Sequence, residues 1–177
     1  GIHIGRCEQC LAASILSFSM LVAAAGIGQA QVVGEEAELD RLRAKAEEAM
    51  GNDDAEGAAM NMGRAALMAA QLGKRQTEPA LRRAFKATEH LYRSQEHGYR
   101  GLALFRRAGG ELPASAGVCG SLQLAQLELQ HAQETLVEST STNRSDTASP
   151  RLPAIRQTTD DWTIVLSSMM GEFRCPN

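Results

Sequence analysis

Aromatic side chains are scarce in these 177 residues, at 4% of the chain. No isoleucine occurs from Glu35 to Glu138, and valine appears there only at positions 118 and 137. A β-rich core is therefore excluded over that stretch, since strands draw on β-branched and aromatic residues. With 5 prolines, 16 glycines and a net charge of -3, collagen-like, polybasic and acid-tail classes are excluded as well. Several chemistries lack their residues. There is no Gly-x-Ser-x-Gly elbow, no Gly-rich phosphate loop ending in Lys-Ser/Thr, and no Cys-x-x-Cys-His haem attachment. The acidic balance argues against nucleic acid as a partner.

What the chain does contain is Ala, Leu, Met, Glu, Gln and Arg, all helix formers. Residues 11–30 read LAASILSFSMLVAAAGIGQA, an uncharged apolar run after a short segment carrying Arg6. This is the order of a secretory signal, with Gly28 and Ala30 as the small residues before a cut at Gln31; an uncleaved anchor is the alternative. The expected localisation is periplasmic or secreted. Of the four cysteines, Cys7 and Cys10 fall in the removed segment, and their redox-like spacing is read as accidental. Cys119 and Cys175 are left, and one pair in an oxidising compartment predicts one disulfide.

Periodicity then predicts an all-α fold, an antiparallel four-helix bundle over 31–138 with a short fifth helix tethered by the disulfide. Leu39, Leu42, Ala46 and Ala49 form the stripe of a first helix near 35–50. Asp53 and Glu56 look like a capping box that opens a second helix running to Gly73. Thr77-Glu78-Pro79 starts a third, whose stripe passes through Phe85, Thr88, Tyr92, Tyr99 and Phe105 to the Gly109-Gly110 pair, with Gly98 and Gly101 as places where it could bend. A fourth carries Leu122, Ala125, Leu129, Ala132 and Leu136. Residues 139–158 read as a flexible linker, and 159–177 as a C-terminal helix bearing Trp162, Leu166, Met169 and Phe173, docked on the bundle.

Three features could carry function. The repeat Glu89-His90-Leu91-Tyr92-Arg93 and Glu96-His97-Gly98-Tyr99-Arg100 places His90 and His97 two turns apart, about 10.5 Å along a helix, too far to share one ion. Glu128 and His131 have the Glu-x-x-His spacing of di-iron bundles, but no second copy exists, so no metal or other cofactor is expected. Met60, Met62 and Met68 are read as core filling rather than a soft-metal site. Finally, charge is segregated. Residues 35–56 hold nine acids and three bases, whereas 74–107 hold nine bases and three acids. These faces could simply neutralise each other, or Arg82, Arg83, Arg93 and Arg100 could form a docking face for an acidic partner or anionic lipid.

The expected function is a non-enzymatic, exported interaction or structural module of the cell envelope. Its partner is a protein or an envelope surface, with membrane contact only through an uncleaved N-terminal segment or the basic face. The alternative is a small-ligand or metal carrier using the bundle interior around His90, His97 and His131, with Glu128, Tyr92 and Tyr99 nearby. An enzyme is not expected, because no convergent acid, base and nucleophile can be assembled.

Overall fold

The helix formers do form helices. The computed structural model describes residues 33–140 and 149–176. Among the described residues five helices follow one another: α1 over 33–51, α2 Ala55–Arg75, α3 Pro79–Arg107, α4 Ala116–Thr140 and α5 Arg151–Glu172. No strand occurs among the described residues. Residues from Ala37 onward make one unit. The signal-peptide reading of 1–30 and the central part of the linker reading, 141–148, lie outside the described residues.

The order is up-down-up-down-up. Gly63 lies against Glu96 and Gly73 against Phe85, so α2 and α3 are antiparallel. His90 meets Glu128 and Ser94 meets the Ala125 carbonyl, so α3 and α4 are antiparallel too. Arg151 lies over Phe85 near the start of α3 and Phe173 stacks on Phe105 near its end, so α5 is parallel to α3. α3 packs most extensively, against α2 on one flank and α4 on the other.

The turns hold two refinements of the sequence reading. The cap of α2 is Asp54, not Asp53: its carboxylate accepts the Gly57 N–H at 2.9 Å, while Asp53 sits at φ 58 in the turn. A side chain at position 57 would collide with that carboxylate, since a Cβ there would stand 2.2 Å from Oδ2. At the start of α3 the N-cap residue is Glu78, whose side chain accepts no capping bond. Arg82 instead reaches back to the carbonyls of Gln76 and Thr77. Its last turn closes on Gly109 and Gly110, both at positive φ, where the Gly110 N–H reaches the Phe105 carbonyl.

α3 is continuous through Gly98 and Gly101. They are seats for partners. A Cβ at 98 would stand 2.4 Å from the Trp162 ring, and one at 101 would stand 2.9 Å from Leu122. Trp162 Nε1 donates to Ser94 Oγ at 2.8 Å, and Ser94 Oγ donates to the Ala125 carbonyl at 2.6 Å. One buried relay therefore joins α5, α3 and α4, leaving neither the indole N–H nor the hydroxyl unpaired.

The C-terminal helix begins at Arg151 rather than near Asp160, so the linker expected over 139–158 is too long. Ile155 and Leu152 are buried two and nearly three turns ahead of Trp162, continuing its stripe. Their run is broken in sequence by polar residues, but Thr159 is buried with its hydroxyl on the Ile155 carbonyl at 2.7 Å. Arg151 pairs with Asp40 through two bonds of 3.0 Å and lies 5.9 Å above the Phe85 ring. At the far end Cys119 and Cys175 are bridged as expected, with a sequence separation of 56. Closing a loop of that size stabilises by roughly 4 kcal/mol in the chain-entropy account.

Substituting Gly98 with Ala should lower unfolding free energy by about 1–3 kcal/mol, because the indole has nowhere to move without breaking its bond to Ser94. Gly120 meets nothing within 4 Å of an added Cβ. Gly120→Ala on the same background should raise stability by about 0.4–1 kcal/mol. Denaturant titration of both variants checks this contrast.

Candidate functional site

Two places on α3 bring chemistry-bearing residues together. The first lies between α3 and α4. His90 projects from α3 toward Glu128, and its Nδ1 lies 2.7 Å from Glu128 Oε2. His131, one turn beyond Glu128 on α4, places its own Nδ1 4.0 Å from the same oxygen. The imidazoles meet edge to face with centroids 5.2 Å apart. One ligand atom from each of the three residues lies within 4.8 Å of the others. The side chains of His90 and Glu128 are 21% exposed and that of His131 is 43% exposed, so the cluster is a shallow surface notch. His90 finds its partners across the helix interface, on α4, rather than along its own helix.

His97 stands apart from this cluster. Its backbone carbonyl accepts the Ser121 hydroxyl at 2.8 Å. Burial, the largest influence, lowers its pKa from 6.5; Glu96 opposes that, Arg100 reinforces it, and Glu128 and Arg93 contribute less in opposite senses. Tyr92 and Tyr99 serve the core. Tyr92 is buried, Tyr99 packs edge to face on Trp162 at 5.4 Å, and burial raises the pKa of both phenols. The interior site expected around the tyrosines and all three histidines thus resolves into core packing and a peripheral notch.

The second place is a groove along α2 and α3. Two adjoining hollows of about 550 and 390 Å³ share Leu67 and Arg93 in their walls. The floor is made by small residues, Ala59, Gly63, Ala70 and Gly73, with Met60 and Leu67 standing 53% and 54% exposed on it. Small residues at α2 positions facing α3 let the backbones approach and leave a trough beside the contact. Seven cations line it, Arg64, Lys74, Arg82, Lys86, Arg93, Arg100 and Arg107, against three carboxylates, Glu56, Glu89 and Glu96. Arg82, Arg93 and Arg100 of the predicted basic face are therefore in the groove. Arg83 is not among its lining residues.

Neutralisation between the segregated charges is real but local. Arg107 pairs with Glu56 at 2.8 Å and Arg106 with Asp53 at 3.7 Å, both at one end of the groove. Arg100 pairs with Glu96 at 2.8 Å within α3. Lys74 and Lys86, at the other end, have no ion pair among the described residues. Met60 opens on the groove, whereas Met62 is buried and Met68 packs on the core, so no thioether cluster forms.

The depressed basicity of His97 has a definite sign. As pH falls below 6.5 the unfolded chain takes up a proton before the folded one does, so stability is lost from there down through the lower folded value. His97→Gln should flatten this part of the profile. Denaturation midpoints of the two proteins from pH 7.5 downward should converge at neutral pH and diverge, in favour of the variant, on acidification.

No protein-family model, curated protein or solved structure matches the chain.

Proposed function

We propose that the protein is an exported, non-enzymatic interaction module of the cell envelope whose α2/α3 groove receives an acidic, amphipathic segment of a protein partner. The observation that carries this reading is the groove itself: an apolar floor with exposed Met60 and Leu67 beneath a rim of seven cations and three carboxylates. Apolar side chains on a surface are ordinary when single, but two of them aligned in a trough between helices offer an anchor line to a helix laid along it. The excess positive charge favours acidic flanks on that helix and speeds its encounter. Lys74 and Lys86 are the cations best placed to respond, since carboxylates of the same chain already engage Arg100 and Arg107. Export is supported by the apolar run at 11–30 and by the disulfide, which persists in oxidising compartments. Among the described residues no helix is long and apolar enough to cross a membrane.

A fluorescent helical peptide carrying one Leu stripe and Glu elsewhere tests the groove. It should bind the full chain and weaken as salt is added, while the same peptide with Lys for Glu should not bind. Lys86→Glu and Leu67→Ser should each weaken binding roughly tenfold, equivalent to about 1.4 kcal/mol. Equal binding of both peptides, or indifference to both substitutions, overturns the reading. Sedimentation with anionic phospholipid vesicles in place of peptide capture would assign the basic rim to a lipid surface instead.

A further inference from the structure

The structure assigns a second, independent site: His90, Glu128 and His131 form a binding site for one divalent transition-metal ion of the zinc class, held by two imidazoles and one carboxylate. The donor set comes first. Zinc bound by nitrogen and oxygen at about 2.0–2.2 Å in tetrahedral geometry separates its ligands by about 3.4 Å. Oxygen Oε2 of Glu128 lies 2.7 Å from one imidazole nitrogen and 4.0 Å from the other, values that bracket this spacing. The two imidazole donors lie within 4.8 Å of each other as well, so small side-chain rotations would bring all three onto an ion.

The helices that carry them are already held in register. One turn from His90, the Ser94 hydroxyl reaches the Ala125 carbonyl, and one turn further Ser121 reaches the His97 carbonyl. The Glu-x-x-His spacing then puts Glu128 and His131 on the same face of α4, opposite His90. Preorganisation by hydroxyls buried between the two helices distinguishes this cluster from charges that meet by chance on a mobile surface.

Ligand chemistry selects the ion. Two imidazoles suit zinc, nickel and copper, whereas magnesium and calcium ask for sites built mainly of oxygen. Without metal, His90 and Glu128 satisfy each other by a hydrogen bond; an ion binding to both would replace that bond, with the neutral imidazole presenting Nδ1 as a lone pair and keeping its N–H at Nε2. Three protein ligands would leave at least one position for water, and the half-exposed His131 opens the notch to solvent. The geometry thus describes an accessible, exchangeable site rather than a closed structural one.

Calorimetric titration of the intact, disulfide-bonded chain with zinc should give one ion per chain. Cobalt should report the same site by visible absorption and be displaced by zinc; magnesium and calcium at a hundredfold excess should not displace either ion. His131→Ala, at a half-exposed position, should weaken zinc at least tenfold while preserving the denaturation midpoint measured in chelator. Glu128→Gln should do the same to zinc, and His97→Gln should leave it unchanged. Absence of binding at millimolar zinc, or binding that survives both His131→Ala and Glu128→Gln, overturns the assignment. Because Lys86 and Leu67 lie outside the site, zinc binding that persists in Lys86→Glu separates this result from the fate of the groove.

Discussion

The hydrogen-bond relay from Trp162 through Ser94 to the Ala125 carbonyl is the contact on which the arrangement of this bundle turns. A buried indole N–H and a buried hydroxyl each cost free energy unless paired, and here a single geometry pairs both. That geometry is available only if α3 offers no side chain at 98, where the ring lies, and if α4 passes close enough to expose a carbonyl to Ser94. Leu-on-Ala packing tolerates small slides of one helix along another; a directed bond to a backbone oxygen does not. The relay converts a greasy, aromatic-poor core into one with a defined register.

Both candidate sites inherit that register. His90 and Glu128 meet because the level of α3 one turn before Ser94 faces the level of α4 one turn after Ala125. The groove exists for the complementary reason. α3 is already covered by α4 and α5 on other sides, so its Arg-rich stripe is left to the shoulder beside α2, where Gly63, Ala70 and Gly73 are too small to fill the trough. Glu96 lies against Gly63, and a Cβ there would stand 2.8 Å from its carboxylate. The groove's shape is therefore tied to the glycine as much as to the cations.

Much of the fold was legible in the residues because the helices are long and their stripes regular; α2, α3 and α4 are where periodicity puts them. The failures have a common physical origin: polar groups that satisfy themselves locally look like loop or surface. Thr159 hides in α5 by bonding to the Ile155 carbonyl, so the apolar pattern that joins Leu152 and Ile155 to Trp162 is interrupted in the sequence. The second buried stripe of α3, through Ala84, Ala87, Leu91, Ser94, Gly98 and Gly101, is built of small residues whose burial depends on neighbours that periodicity does not identify. The meeting of His90 with Glu128 had a usable signal, since each stands nineteen residues from Gly109, the recognised turn. Folding the sequence back on that glycine would have opposed them. Which face each presents, however, depends on the relay.

The two ends of the bundle are closed by different means, and this bears on how firmly the His90–Glu128 level is held. At one end the Cys119–Cys175 bridge, the stacked rings of Phe105 and Phe173 with centroids 4.0 Å apart, and the bond from the Ala114 N–H to the Phe173 carbonyl lock α5 onto the start of α4. At the other, Arg151 and Asp40 join α5 to α1 at a site where water competes, a pairing that contributes about 0–1 kcal/mol. Glu128 is nine residues beyond Cys119, about 13.5 Å along α4. The covalent staple therefore acts on the histidine level only through what lies between, which is Ser121 on the His97 carbonyl and the Trp162–Ser94–Ala125 relay. Stiffness at that level comes from hydroxyls and an indole, with the disulfide keeping α5 near enough for the indole to arrive.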